Sequence, residues 1–234
     1  MRLDPRTTPN NNFDGFRSSR YTVNDGIRPL LQLDFTPPVT VPNFKMPLPR
    51  NVAWLVTTEV GGYDCVGSAQ DVAHTGQNYF SVDFSWRNKD ANGNQVYGNP
   101  NDGANIPIYP AADGVIKDII SSDTDPRFAN NGYFVAVAHD PSQTLNTGFS
   151  TRYLHFKNPP SVSLGQTVYR DSTVLGYMGN TGKSSGPHLH FGMRYNNDGN
   201  SGTNVAYAVM SGWLLKSFQT ECSGGRPIRY YTSN

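Results

Sequence analysis

From residue 51 onward, the chain consists of short apolar runs separated by clusters of Gly, Asn, Asp and Pro. The runs are rich in β-branched and aromatic residues, which favour strands, and turn-forming residues bound them. We predict strands over residues 53–60, 79–86, 114–120, 133–139, 151–156, 167–169, 174–178 and 188–195. Only residues 205–217 have a pattern that favours a short helix. The chain is therefore expected to adopt a mainly β fold around one substantial core.

The composition narrows the classes of function. The 234 residues include 23 glycines and 17 prolines, which is typical of a turn-rich β protein. The 19 basic and 18 acidic side chains give a net charge of +1, which is too small to steer the protein onto nucleic acid. No stretch approaches the about 20 apolar residues that a membrane helix needs. We therefore expect no nucleic-acid partner and no membrane span.

Two segments of the chain differ in character. Residues 1–50 are rich in proline, which disfavours long regular structure and predicts an N-terminal arm. Within the arm, the turn signal at residues 24–26 (NDG) lies between apolar runs and predicts a hairpin. Residues 51–234 are predicted to form one β-rich domain with a C-terminal tail, and residues 88–105 a long surface loop.

The two cysteines, Cys65 and Cys222, lie far apart and in no CxxC spacing. We expect one disulfide between them, which on the chain-entropy model would stabilise the fold by about 4–5 kcal/mol. A disulfide suits an exported protein, so we expect a secreted or periplasmic location. The alternative is a pair of buried free thiols in a cytosolic protein.

The most informative histidines are His188 and His190, in the segment GPHLHFG at residues 186–192. On a strand, side chains two residues apart share a face, so both imidazoles are expected on one face, with Leu189 and Phe191 in the core. Two convergent imidazoles suit a metal site or acid/base chemistry, although two incidental surface histidines remain the alternative.

Further polar residues give this pair a context. Asp83 shares the polar face of its predicted strand with two serines, while the neighbouring valine and phenylalanines take the other face. His74 lies in a loop-like segment, and His155 ends a predicted strand. Two histidines and one carboxylate form a recognised catalytic zinc set with a position open for water. Two more histidines would remain for proton transfer and oxyanion stabilisation.

At these residues the sequence resembles the lysostaphin/LytM family of zinc endopeptidases, which cut peptide bonds in bacterial peptidoglycan. Residues 179–191 (GNTGKSSGPHLHF) meet the family signature G-x-TG-x-S-x-GPHLHF at every specified position. Residues 106–116 (IPIYPAADGVI), 132–139 (GYFVAVAH) and 153–155 (YLH) are similar to three further family motifs in the same order. The resemblance extends over residues 54–194.

The resemblance implies a LytM-like antiparallel β-sheet core of the duplicated-hybrid-motif type, with long loops around an open groove. It also implies one Zn²⁺ per chain, held by His74, Asp83 and His190, with His155 and His188 as the catalytic pair. The partner would be a peptidoglycan peptide, and we expect a monomer. The commonest family spacing would place the aspartate at position 78, where this chain has Asn78, a poor zinc ligand. We assign the third ligand to Asp83 instead, because its strand end resembles that of family members with a longer spacing and because the strand alternation places it on the polar face.

Two other functions use the same residues. One is a catalytically silent relative that binds peptidoglycan or activates an amidase, and the other is a secreted zinc protease that acts on extracellular proteins. The arm over residues 1–50 is expected either to pack beside the groove or to act as a propeptide. Tyr153 is a candidate for oxyanion stabilisation or for simple packing, and His139 is expected near the surface or beside the site.

Overall fold

The structure, a computed structural model, describes residues 42–59, 63–64, 74, 78, 81–140, 145, 148–170, 172–195, 214–219 and 228–232. Contacts divide the chain into two units, residues 1–40 and residues 41–234, and all described residues belong to the second. The predicted hairpin in the arm, Cys65 and Cys222 lie outside the described residues.

The second unit is dominated by antiparallel strands. In chain order these are β1 (Ala53–Glu59), β2 (Tyr63–Asp64), β3 (Ser81–Lys89), β4 (Pro107–Ile108), β5 (Gly114–Ile120), β6 (Tyr133–Ala138), β7 (Phe149–Phe156), β8 (Thr167–Val168), β9 (Gly176–Tyr177), β10 (His188–Tyr195), β11 (Leu214–Gln219) and β12 (Ile228–Thr232). A 3₁₀ turn at Pro100–Asp102 and a short helix α1 (Phe128–Asn131) interrupt them.

One large sheet organises these strands. In the described part of the chain it has ten strands, in the order β11-β12-β1-β3-β10-β7-β6-β5-β8, with β2 paired to β1. A second sheet consists of β4 and β9. Every pairing is antiparallel, so the predicted mainly β, antiparallel fold is confirmed.

The predicted strands are found within a few residues of their expected bounds, but the predicted helix at residues 205–217 is wrong where the structure describes it. Residues 214–217 belong to β11, which pairs with β12 at the edge of the sheet. The ladder with β12, which has one irregularity between Leu215 and Ser217, supplies backbone hydrogen bonds to these residues, and this tertiary pairing overrides a weak local helix pattern.

The main core covers one face of the large sheet. Alternate residues of the central strands contribute to it, among them Phe84, Tyr153, Leu189 and Phe191, all fully buried. The opposing layer comes from the segments around β4 and β9. Because period-2 alternation fills one face with apolar side chains, the polar residues of β3 and β10 are left on the other face.

Residues 42–50, which the sequence places in the arm, pack into this core. Phe44, Met46 and Leu48 are buried in it. Two backbone hydrogen bonds fix the segment in place, one from Lys45 N–H to Ala111 O (2.9 Å) and one from Tyr109 N–H to Pro47 O (2.9 Å). The segment therefore contributes to the fold, since each such side chain stabilises it by about 1.5–3 kcal/mol.

The loop that follows β3 is organised by Asn88, the penultimate residue of that strand. Its buried amide donates to Trp86 O (2.7 Å) and Tyr97 O (3.0 Å) and accepts the N–H groups of Val96 (2.9 Å) and Tyr97 (3.0 Å). An exposed loop at residues 91–96 is thus tied back to the sheet. No helix in the described ranges is long and apolar enough to span a bilayer.

Candidate active site

The pairing of β3 with β10 brings the predicted site residues together. His190 is directly opposite Asp83, and His188 is opposite Ser85. The intervening Leu189 and Phe84 are in the core, so the histidines and the aspartate share the other face, as the alternation predicts. The sheet register therefore places the Asp83 carboxylate directly opposite His190, on the face that also carries His188.

His74 approaches the same carboxylate from outside the sheet. Its Nδ1 lies 2.9 Å from Ser81 O and its Nε2 lies 3.1 Å from Asp83 Oδ2. A carbonyl oxygen only accepts, so Nδ1 carries the hydrogen. In the neutral imidazole, the lone pair of Nε2 then faces a carboxylate oxygen. A cation between these two atoms would take both lone pairs, and the Nδ1–H bond to a carbonyl is typical of metal-ligating histidines.

His190 completes the cluster. Its Nδ1 lies 3.0 Å from Asp83 Oδ1. The two atoms are not aligned for a hydrogen bond, and Asp83 Oδ1 accepts none from the described residues. One ligand atom each from His74, Asp83 and His190 lies within 4.8 Å of the other two, and all three residues are buried. Within the described residues, this is the one group of at least three such side chains close enough to share a metal ion.

The electrostatics of the cluster favour an ionised carboxylate. Burial on its own would raise the pKa of Asp83, but the neighbouring imidazoles of His190, His74 and His188 hold that pKa well below its usual value. A buried carboxylate that stays ionised needs a positive partner. Two imidazole nitrogens and a carboxylate are donors that Zn²⁺ takes, so the residues present fit a zinc ion.

Two more imidazoles lie beside the cluster. His155 Nδ1 is 2.7 Å from Thr181 O, and His188 Nδ1 is 2.8 Å from Gly186 O and 3.1 Å from Ser184 Oγ. Since the carbonyls accept, both Nδ1 atoms carry hydrogen, and both Nε2 atoms are left as proton acceptors in the neutral rings. The ring centroids of His155 and His188 are 4.7 Å apart, and His188 Nε2 is 3.7 Å from Asp83 Oδ1.

His155 reaches the site through an unusual backbone. It has a φ of 66°, in the left-handed region that residues other than glycine seldom adopt. By strict alternation it would share the core face with Tyr153, two residues earlier. The left-handed conformation at the end of β7 ends that alternation, and the imidazole lies beside His188 instead of in the core.

The environment keeps His155 neutral. Burial lowers its pKa to about 4, with the neighbouring charge of His188 acting in the same direction and the hydrogen bond to Thr181 opposing it. A neutral ring at physiological pH has an Nε2 lone pair that can accept a proton or a hydrogen bond.

Other candidates are placed elsewhere. Asn78 Oδ1 accepts a hydrogen bond from Arg194 Nη2 (2.6 Å) and does not belong to the cluster. Tyr153 is fully buried, and its hydroxyl is bonded to Ala111 N (2.7 Å) and Thr151 Oγ1 (2.7 Å). Its role is therefore packing and core hydrogen bonding, and oxyanion stabilisation by Tyr153 is wrong. The His139 ring forms hydrogen bonds with Asp113 O and with Thr151 Oγ1, the same hydroxyl that bonds Tyr153.

Sequence reasoning missed two groups at the site. Thr181 and Gly186 supply the carbonyls that orient His155 and His188. Both lie in the GNTGKSSGP segment that precedes β10, and the match of that segment to the family signature was the available signal. The alternation rule does not identify such groups because they act through the backbone.

Comparisons with known proteins find relatives of part of this chain. Residues 93–206 match peptidase family M23. Peptidoglycan DD-endopeptidase ShyA of Vibrio cholerae serotype O1 is 38% identical over 85 residues, which are 36% of this chain and 16% of ShyA. DD-carboxypeptidase/endopeptidase Mpg of Neisseria meningitidis serogroup B is 33% identical over 90 residues, which are 38% of this chain and 17% of Mpg. The matched region thus spans about one sixth of each of these curated relatives.

Among solved structures, the antimicrobial peptidase lysostaphin from Staphylococcus simulans aligns with a TM-score of 0.44 and 16% identity, over 73% of this chain and 60% of lysostaphin. The segment that matches the family contains His155, His188 and His190 and begins after His74 and Asp83. It also contains the whole of the GNTGKSSGPHLHF motif at residues 179–191. The match to peptidase family M23 thus covers just under half of the chain, in the region that carries the HxH motif.

Proposed function

We propose that this protein is a zinc-dependent endopeptidase that hydrolyses peptide bonds in the stem peptides or cross-bridges of bacterial peptidoglycan. The observation that carries the proposal is the convergence of His74, Asp83 and His190 within 4.8 Å. The names of two relatives, a peptidoglycan DD-endopeptidase and a DD-carboxypeptidase/endopeptidase, support a peptidoglycan substrate.

One Zn²⁺ per chain would be held by His74 Nε2, a carboxylate oxygen of Asp83 and His190 Nδ1. When bound there, zinc supplies Lewis-acid polarisation of the scissile carbonyl and makes water more acidic. The Nδ1–H bond of His74 to Ser81 O fixes the ring so that Nε2 is the ligand atom.

Proton transfer falls to His155 and His188. Both rings keep Nδ1–H on a backbone carbonyl and present Nε2 as an acceptor. One of them takes a proton from the attacking water, and the Nε2–H so formed can then be donated to the leaving amine. The other ring is close enough to share the stabilisation of the oxyanion, since the two ring centroids are 4.7 Å apart.

The setting of this reaction is the cell envelope, where peptidoglycan is found, so we place the protein in the periplasm or outside the cell. The peptide substrate is its partner, and the protein acts as a monomer. The proposal that the N-terminal arm acts as a propeptide now concerns residues 1–40, because residues 42–50 pack in the core.

The test is digestion of purified peptidoglycan by the zinc-loaded protein, with and without a chelator, followed by mass spectrometry of the released fragments. We expect new amino and carboxyl ends that appear only without chelator, and their identity names the bond. Matched reactions with the His188→Ala variant exclude a contaminating hydrolase. Bound zinc with cleavage of Gly-rich extracellular proteins, but of no peptidoglycan, would favour the protein-directed alternative. Absence of both zinc and cleavage would favour the silent relative.

A further inference from the structure

Thr181 lies in the segment between β9 and β10 and connects three parts of the fold. Its hydroxyl donates to Phe156 O (2.7 Å) at the end of β7 and accepts Tyr133 N–H (3.1 Å) at the start of β6. Its carbonyl accepts the Nδ1–H of His155 (2.7 Å). The residue that orients the His155 ring is thus itself fixed by its side chain to the strand that carries His155.

The surrounding backbone leaves this segment little freedom to move. Gly182 has a φ of 73°, and a Cβ at that position would collide with the backbone of Gly132. Gly132 has a φ of 63°, and a Cβ there would collide with Thr181. Lys183 N–H donates to Asn130 O (3.1 Å) next to this contact. The two segments therefore meet backbone to backbone, and the Thr181 hydroxyl lies where they join.

The contact matters because His155 is strained. A left-handed residue other than glycine persists only where its surroundings hold it, and here it ends the alternation that would otherwise direct the ring to the core. The hydroxyl bonds the carbonyl of Phe156, the residue that follows His155. Thr181 thus makes two contacts next to the strained position: its hydroxyl bonds the backbone just after His155, and its carbonyl accepts the Nδ1–H of the His155 ring.

We propose that the Thr181 hydroxyl is a positioning group that holds His155 in its left-handed backbone and in the Nδ1–H tautomer, with Nε2 directed toward His188. Its effect on turnover rests on the proposed peptidase function. Its effect on the geometry and tautomer of His155 does not, and the two are measured separately.

The variants that separate the hydroxyl from the shape of the side chain are Thr181→Val and Thr181→Ser. We expect Thr181→Val to lower kcat on peptidoglycan by about tenfold to a hundredfold, since a displacement of about 1 Å in a reacting group costs that much. Zinc content and KM should stay near the wild-type values. Thr181→Ser should stay within about threefold of the wild-type kcat because it keeps the hydroxyl. The matched control is Thr124→Val, since the exposed Thr124 hydroxyl bonds only within a surface turn.

The measurement that does not depend on activity is the ¹⁵N NMR spectrum of the imidazoles, with His155 assigned by a His155→Gln variant. We expect the wild type to show the Nδ1–H tautomer of His155 and Thr181→Val to show a mixture of tautomers. A wild-type Nε2–H tautomer would overturn the proposal without any variant, so it stays testable if Thr181→Val does not fold. An unchanged His155 signal in folded Thr181→Val would also overturn it, as would a Thr181→Ser variant as impaired as Thr181→Val. If the tautomer shifts while no wall substrate is cleaved, the failure lies in the proposed function.

Discussion

Lowering the pH should destabilise this protein through His139, which ends a chain of hydrogen bonds that leads into the core. Its Nδ1–H donates to Asp113 O (2.8 Å), so its Nε2 accepts from the Thr151 hydroxyl (2.6 Å). Thr151 then accepts from Tyr153 (2.7 Å), which accepts Ala111 N–H (2.7 Å). The two backbone groups at the ends fix the direction of every bond, and a second proton on His139 would reverse one of them.

The size of this loss of stability follows from the pKa of His139 in the folded protein. Burial lowers the pKa of His139 from 6.5 to about 4, with the hydrogen bond to Asp113 acting in the opposite direction. The unfolded chain therefore binds more protons than the folded one between these values, and stability rises with pH there. The neutral His139 ring contributes its full stabilisation above about pH 6.5, and this stabilisation is lost as the pH falls toward 4. At about 1.4 kcal/mol per pH unit, the loss reaches up to about 3 kcal/mol.

The assay is urea unfolding of the wild type and of the His139→Gln variant at a series of pH values from 7 down to 4. The difference between the two free energies of unfolding isolates His139, because the remaining titratable groups are common to both proteins. We expect the advantage of the wild type to shrink by up to about 3 kcal/mol over this range. A difference that stays constant within about 0.5 kcal/mol would refute the argument that His139 is held neutral.

Three further predictions follow from the site and the core. His190→Ala should lose both zinc and turnover, whereas His188→Ala should keep zinc and lose turnover by about a factor of 10²–10⁴, as metal analysis and peptidoglycan digestion would measure; equal zinc loss in both would contradict the assigned roles. Gly182→Ala should destabilise the fold by more than about 1–2 kcal/mol in urea unfolding, because the new Cβ meets Gly132 in a left-handed backbone, and a neutral effect would speak against that contact. Deletion of residues 1–50 removes Phe44, Met46 and Leu48 from the core and should lower the free energy of unfolding by about 5 kcal/mol or more. Deletion of residues 1–40 should leave the melting temperature of the second unit nearly unchanged. Similar melting temperatures of the two shortened proteins would show that residues 42–50 contribute little.

The sequence was most informative where a simple periodicity applies. The alternation of β3 and β10 predicted that Asp83, His188 and His190 would share one face, with Leu189 and Phe191 in the core. That pattern and the family motif together were sufficient to predict which side chains form the cluster. The register between the two strands, which places His190 opposite Asp83, depends on tertiary pairing that sequence periodicity does not encode.

The sequence was least informative where local rules are broken. His155 and Tyr153 share a face by alternation, but the left-handed backbone at His155 separates them, and no residue type at that position signals it. The packing of Phe44, Met46 and Leu48 was hidden by the prolines around them, which argue against regular structure but not against burial. The strand at Leu214–Gln219 depends on its partner β12 and not on its own helix-like pattern.

The central claim of this account is that three residues hold a catalytic zinc ion, and anomalous X-ray diffraction at the zinc edge from crystals of the zinc-loaded protein tests it most directly. We expect one peak per chain within about 2.0–2.2 Å of His74 Nε2, an Asp83 carboxylate oxygen and His190 Nδ1, with a fourth position open toward His155 and His188. A zinc ion held by other residues, or one that takes Asn78 in place of Asp83, would contradict the account.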